Sequence, residues 1–156
     1  QQTLRQLARL HLRGELQNVR VRDVMSPKLF TVAPHDPVTN VIDLMHQHRV
    51  RHVLVCDDQM QLQGLVSDRD IGHRSGNYVR QIMSQRLTTV PSDMELIPAV
   101  TTMMNRGISA LPVVQEGKLV GILTTTDLML ILQCLVLLSH REACEAEASR
   151  TTWPCR

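Results

Sequence analysis

Two short stretches of the chain place a hydroxyl and a carboxylate three residues apart, directly after apolar residues. Gly121-Ile122-Leu123-Thr124-Thr125-Thr126-Asp127 does so once, and Gly64-Leu65-Val66-Ser67-Asp68-Arg69-Asp70 does so 57 positions earlier. The pattern reads as a buried strand that delivers a Ser or Thr and an Asp to the first turn of a helix. A helix N-terminus gathers unpaired N–H groups and the positive end of the macrodipole, which favours an anion. A hydroxyl there can donate to phosphate, and a carboxylate can accept from sugar hydroxyls. The same residues also fit a structural role, with Ser67 and Thr124 as N-caps and Asp70 and Asp127 as their capping-box partners. Either copy alone favours the cap. Two copies inside a longer repeat give weight to binding.

The elements that position these groups follow from that repeat. Val21-Arg22-Asp23-Val24-Met25-Ser26 returns as Val79-Arg80-Gln81-Ile82-Met83-Ser84, and Thr31-Val32 as Thr89-Val90, both at an offset of 58. Ala110–Val114 matches His52–Cys56, after which the offset becomes 57 because the turn Gln115–Lys118 is one residue shorter than Asp57–Gln61. Within the first unit, Leu29–Val32 reads as a short strand, and Asp36 as a cap with Pro37 at the first helical position. Val38, Val41, Ile42 and Met45 recur at helical spacing to about His48. His52–Cys56 and Leu62–Ser67 read as strands, and a short helix runs to Arg74. Each unit is therefore β-α-β-β-α, and self-similarity over such a period marks a duplicated α/β unit. Ahead of it, Thr3–Leu16 reads as an amphipathic helix. Behind it, a helix from Asp127 is apolar on nearly every face through Leu138, which predicts burial on several sides, against Leu4, Leu7 and Leu12 or against a partner subunit. Arg141–Arg150 is polar and helix-prone, and Thr151–Arg156 reads as a loose tail.

Composition narrows the function. The 156 residues suffice for one compact domain or two closely packed halves, and 43% apolar with 21% charged residues describes an ordinary soluble protein. A net charge of +2 without a Lys/Arg run argues against nucleic acid. Phe30, Tyr78 and Trp153 are the only aromatics, too few for a base-stacking platform of the single-strand-binding kind. Cys56, Cys134, Cys144 and Cys155 form no C-x-x-C pair, and their scatter fits a reducing cytoplasm. The run from Leu128 to Leu138 falls short of the roughly 20 residues a membrane span needs. His46, His48 and His52 lack a completing carboxylate or cysteine and read as solvated or pocket-lining groups, not a metal set. Asp68-Arg69-Asp70 reads as an exposed ion pair worth little stability. No nucleophile elbow or hydrolytic acid pair is present, so an enzyme is not expected. The chain begins at Gln1 and not Met, which fits an excerpt of a longer product.

Taken together, V-x-x-h-M-S, T-V, a helix, (R/S)-(H/A)-L-P-V-V and G-h-h-(S/T)-x-x-D, occurring twice in order, resemble a tandem pair of cystathionine β-synthase (CBS) domains. The resemblance covers Val21 to Leu130. It implies an α/β (α+β) fold of two βαββα units related by a pseudo-two-fold axis and flanked by terminal helices. The expected divisions are residues 1–20, a first repeat over 21–76, a second over 77–130, and an extension over 131–156. It further implies adenine nucleotides or adenosyl compounds (AMP, ADP, ATP or S-adenosylmethionine) bound in two clefts without a required cofactor, and a homodimer that regulates an attached or partner protein.

In such pairs the clefts are shared between repeats. The resemblance thus implies that Thr124 and Asp127 face Thr31, Val32, Arg51 and His52, and that Ser67 and Asp70 face Thr89, Val90, Ser109 and Ala110. The aspartate would take the ribose hydroxyls, the Ser or Thr the phosphate, and the Thr-Val backbone the adenine edge. Leu54 stands where the second repeat has Pro112, a departure from the family's pattern. Arg51, beside Arg49 and His52, brings positive charge to the Thr124/Asp127 cleft, whereas Ser109 and Ala110 bring none to the other. The first is therefore expected to prefer phosphorylated ligands. Two other readings remain: a ligand-free scaffold that only dimerises, and a regulatory piece of a larger enzyme or transporter.

Overall fold

The structure, a computed structural model, describes residues 18–150. The expected helix over Thr3–Leu16 and the tail from Thr151 lie outside the described residues. The first repeat runs α1 (Val21–Val24), β1 (Thr31–Val32), α2 (Val38–His48), β2 (His52–Cys56), β3 (Leu62–Ser67) and α3 (Asp68–His73). The second runs α4 (Val79–Ile82), β4 (Val90–Pro91), α5 (Leu96–Arg106), β5 (Ala110–Gln115), β6 (Lys118–Thr124) and α6 (Thr125–Arg150). This is the duplicated mixed α/β unit expected from the repeat.

Each repeat builds one three-stranded sheet with its middle strand parallel to one neighbour and antiparallel to the other: β1-β2-β3 and β4-β5-β6. A register break falls at Val55/Cys56 in the first and at Val113/Val114 in the second, the same place in both repeats. The two hairpin turns differ as the offset requires. Glu116 and Gly117, at φ 50 and 75, make a tight two-residue turn of the kind that matches strand twist. The longer turn is tied by Asp57, whose carboxylate accepts from the Gln59 and Gln61 N–H groups and from the Gln63 amide.

The start of α2 differs from expectation. Pro37 is itself the N-cap, in extended conformation, and the helix begins at Val38. Asp36 turns back to accept from Ala33 N–H at 2.8 Å, while the Val38 N–H is satisfied by the Asn77 carbonyl of the link between repeats. A carboxylate that closes its own turn does not cap the helix.

The packing does not follow the repeat boundary. Val21 and Val24 of α1, with Val19, are buried in the core of the second sheet beside Val90, Ala99, Met103, Leu111, Val113, Leu123 and Ile131. Val79 and Ile82 of α4 are buried in the core of the first sheet beside Val32, Val41, Val53, Val55 and Val66. The backbone repeats the exchange. Val21 and Arg22 donate to the Met94 and Ser92 carbonyls, and Val79 and Arg80 to those of Asp36 and Pro34. Ser26 makes a two-hydrogen-bond bridge with Ile122 of β6, and Ser84 makes one with Leu65 of β3. Each opening segment is therefore part of the other repeat's core, and a third cluster of Leu54, Cys56, Ala110 and Ile122 draws on both repeats.

These crossings set the demand for glycine in the two motifs. The three atoms nearest a Cβ at Gly64 all belong to the flexible Met83 side chain, the closest at 2.7 Å, whereas those nearest one at Gly121 include the Ser26 carbonyl oxygen at 3.0 Å beside Met25. A methionine tip can move, but a carbonyl held in a bridge cannot. Gly121→Ala is therefore expected to cost about 1–3 kcal/mol, and Gly64→Ala clearly less. Urea denaturation of both variants checks the order, and equal losses would contradict it.

On α6, Ile131 and Cys134 are buried and Leu128 and Leu135 pack against the second core. Met129, Leu130, Leu132, Val136 and Leu137 are exposed. So one face is covered by described residues, and the Leu4/Leu7/Leu12 face expected to cover another lies outside them. No helix among the described residues is long and apolar enough to cross a membrane.

Candidate functional site

Ser67 and Thr124 each end a strand and begin a helix, and the two local networks match. Asp70 Oδ2 accepts from the Ser67 N–H at 2.9 Å and its hydroxyl at 2.7 Å, and Asp127 Oδ2 accepts from the Thr124 N–H at 2.7 Å and its hydroxyl at 2.6 Å. Each hydroxyl in turn lies 3.3 Å from the aspartate's own N–H. The capping box is real in both copies.

The second carboxylate oxygen separates them. Asp70 Oδ1 lies 3.3 Å from Arg74 Nε and 3.5 Å from the Ser84 hydroxyl. Asp127 Oδ1 has no hydrogen-bond partner among the described residues, in a side chain that lines a cavity of about 490 Å³. A carboxylate with one oxygen fixed by its cap and the other open is an oriented, charged acceptor.

That first cleft lies between the repeats. Ile122, Thr124, Thr126 and Asp127 come from the second, and Lys28, Phe30, His48, Arg49, Arg51, His52 and Leu54 from the first. Phe30 is held by its carbonyl, which accepts from Leu54 N–H at 2.9 Å, and its ring stacks on His48 with centroids 4.4 Å apart. Lys28 Nζ lies 5.0 Å from the Phe30 centroid. Arg49 closes α2 at φ 54, where the second repeat uses Gly107 at φ 62. A left-handed arginine costs about 1–2 kcal/mol relative to an ordinary conformation, so the cleft rim carries a cation where a glycine would be easier. Arg51 donates to Asp68 Oδ2 at 2.7 Å, which compensates part of its charge. Burial works against ionisation of Asp68, yet its contacts with Arg51 outweigh this and hold its carboxyl below the usual range.

The second cleft, about 260 Å³, is lined by Ser67, Asp70, Ser109 and Ala110, and also by Arg69, Ser84, Arg86, Leu87 and Thr88. Arg69 and Arg86 correct the expectation that positive charge belongs to the first cleft alone. The reading of Asp68-Arg69-Asp70 as an ion pair is corrected too: Asp68 pairs with Arg51 and Asp70 with Arg74.

The structure thus gathers Thr124, Asp127, Arg51 and His52 at one cavity and Ser67, Asp70, Ser109 and Ala110 at the other. Thr31, Val32, Thr89 and Val90 line neither. Thr31 and Val32 pair with Leu54 and Val55, Val32 and Val90 are buried, and Thr89 borders a separate depression of about 300 Å³. The residues just before each Thr-Val face the clefts instead: Lys28 and Phe30, and Arg86 and Thr88. A cation at matching positions 28 and 86 was the available signal.

His52 borders both cavities, and its Nε2 lies 2.8 Å from the hydroxyl of Ser109, the second-repeat counterpart of Arg51. Burial lowers its pKa, with Arg51 acting the same way and Asp68 opposing. Asp127 is raised above the ordinary 3.8, chiefly by burial, while the hydrogen bonds from Thr124 pull it down. A carboxyl raised on folding binds its proton more readily in the native state. Acidification from neutral pH through that raised value toward 3.8 is therefore expected to stabilise the wild type relative to Asp127→Asn, which has no such proton. Urea unfolding at stepped pH reads the difference, and a pH-independent difference would refute it.

A duplicated α/β unit thus frames two inter-repeat clefts, each with a capped hydroxyl–carboxylate pair. The chain belongs to the CBS domain family, which matches residues 21–74 and 79–133. CBS pairs are regulatory modules. The CBS domain-containing protein YhcV of Bacillus subtilis is 33% identical over 115 residues, covering 69% of this chain and 81% of that one. The structure of CBSX2 in complex with AMP is 28% identical with a TM-score of 0.65, covering 77% of this chain and 98% of that one. The choline transport ATP-binding protein OpuBA of Bacillus subtilis is 31% identical over 113 residues, which span 70% of this chain but 30% of OpuBA.

Proposed function

We propose that this chain is a non-enzymatic cytoplasmic sensor of adenine nucleotides, which takes an adenosyl ligand in the first cleft and passes the event through a homodimer to an effector. The observation that carries the reading is the open Asp127 Oδ1 on the wall of a cavity whose other wall bears the Phe30–His48 stack. An open carboxylate oxygen suits vicinal ribose hydroxyls, a flat stack suits a purine, and Lys28 and Arg49 suit a phosphate. A cavity of about 490 Å³ lies within the range that small-molecule sites occupy. AMP in the CBSX2 complex supports the same ligand class. For transmission, the exposed apolar residues of α6 offer a surface that a second copy or an effector would cover. The match to only part of OpuBA favours a variant of this reading, in which the module is the regulatory portion of a larger protein.

Thermal unfolding with adenosine, AMP, ADP, ATP or S-adenosylmethionine tests the ligand. At about 100 times its dissociation constant a true ligand adds about 2.7 kcal/mol, a clear rise in midpoint. No rise with any of the five at millimolar concentration would leave the ligand-free scaffold as the better account.

A further inference from the structure

Every group that would read a nucleoside in the first cleft has a counterpart in the second that is already satisfied. The stacked pair Phe30 and His48 is replaced by Thr88 and Arg106, whose guanidinium donates to the Thr88 hydroxyl at 2.8 Å. The open oxygen of Asp127 is replaced by Asp70 Oδ1, which Arg74 holds at 3.3 Å. The second cavity, about 260 Å³, is also smaller than the roughly 300 Å³ at which drug-sized sites begin. What this cleft leaves uncommitted is cationic: Arg69 and Arg86 line it, and neither guanidinium has an ion-pair partner among the described residues. The Ser84 hydroxyl stands beside them, 3.5 Å from Asp70.

We infer that the second cleft takes an oxyanion of the phosphate class, held by Arg69 and Arg86, and no nucleobase. The chain then binds one nucleoside and one separate anion. Anion binding is then not confined to the first cleft, as Arg51 and Ser109 alone would predict, because Arg51 is engaged by Asp68 while the second cleft has cations of its own from α3 and the segment before β4. Guanidinium forks suit tetrahedral oxyanions through paired charge-assisted hydrogen bonds. The inference rests on the first cleft being the nucleoside site.

The test is calorimetric titration of the full chain at low salt with adenosine and, separately, with inorganic phosphate, pyrophosphate and ribose 5-phosphate. Adenosine is expected to bind once per chain and not to displace pyrophosphate. Arg69→Gln and Arg86→Gln are each expected to weaken pyrophosphate about tenfold while leaving adenosine affinity and the unliganded midpoint unchanged, since both side chains are exposed. Arg86→Lys should restore part of the loss. Tighter binding of ribose 5-phosphate than of inorganic phosphate would assign the anion to a phosphorylated metabolite, and the converse to free phosphate. If adenosine fails to bind but pyrophosphate still depends on Arg69 and Arg86, the nucleoside reading falls and the anion site stands. Two adenosines per chain, no anion binding, or anion binding lost in Lys28→Gln and not in the arginine variants would each overturn the inference.

Discussion

Ile82→Ala is expected to cost about 2–5 kcal/mol, the range for removing a buried isoleucine or leucine side chain, and to do its damage in the other repeat. Ile82 is 1% exposed, and apart from Val79 of its own helix the buried residues clustered with it, Val32, Val41, Val53, Val55 and Val66, come from the first repeat. The cavity therefore opens beneath β2 and β3. Hydrogen exchange in the variant should lose protection at Val53, Val55 and Val66 before it does so at Leu111, Val113 and Leu123. Val24→Ala, whose side chain sits with the latter group, should reverse the order. Since native domains are stable by only about 5–15 kcal/mol, the first substitution removes a large share of the total. Loosening confined to β5 and β6 in Ile82→Ala would contradict the exchanged packing.

The second large effect concerns the nucleoside. Asp127→Ala removes a charged acceptor, and hydrogen bonds to charged groups contribute about 1.5–3 kcal/mol. Adenosine affinity should fall by about 10- to 150-fold. Asp127→Asn keeps an oxygen for the Thr124 capping network and separates lost ligand contact from lost helix cap. Phe30→Ala removes the stacking surface, worth about 1–3 kcal/mol per base. Acting on the base and the sugar at two ends of one ligand, the two losses should add, so the double variant should show little coupling. Titration of adenosine into the three single variants and the double variant decides the matter. Unchanged affinity in Phe30→Ala would place the base elsewhere. The ionised acceptor also makes binding pH-dependent: affinity should decline as acid protonates Asp127 through its raised pKa, and Asp127→Asn should lack that decline.

Much of the fold was legible because the repeat states each element twice. β2, β3, α2 and the two capping boxes follow directly from periodicity and from the Ser67/Asp70 and Thr124/Asp127 spacing. Three features were not legible, each for a physical reason. The exchange of α1 and α4 leaves no mark in a periodic pattern, since Val21/Val24 and Val79/Ile82 are equally apolar whichever sheet they enter. The resemblance implies a cleft role for Thr31 and Val32, yet their recurrence reflects strand pairing and burial, while cleft-facing Phe30 and Thr88 differ between repeats. The spare oxygen of Asp127 depends on a single position, the absence of a second-repeat counterpart to Arg74, and Arg74 sits outside both motifs. Identity between repeats finds the scaffold, and differences between them find the chemistry.

The exchanged opening segments bear on how the chain is made. A ribosome releases Val21 and Val24 early, but their partners Leu111, Val113 and Leu123 emerge only with the end of the second repeat. The cluster of Val32, Val41, Val53, Val55 and Val66 beneath the first sheet, by contrast, takes its last buried member at Ile82. The first sheet is thus expected to close during synthesis, with α1 left unsheltered on the nascent chain until β6 arrives. Contacts of such long sequence separation slow folding and prolong exposure of apolar surface. Val19, Val21 and Val24 are then the segment that a nascent-chain chaperone would meet.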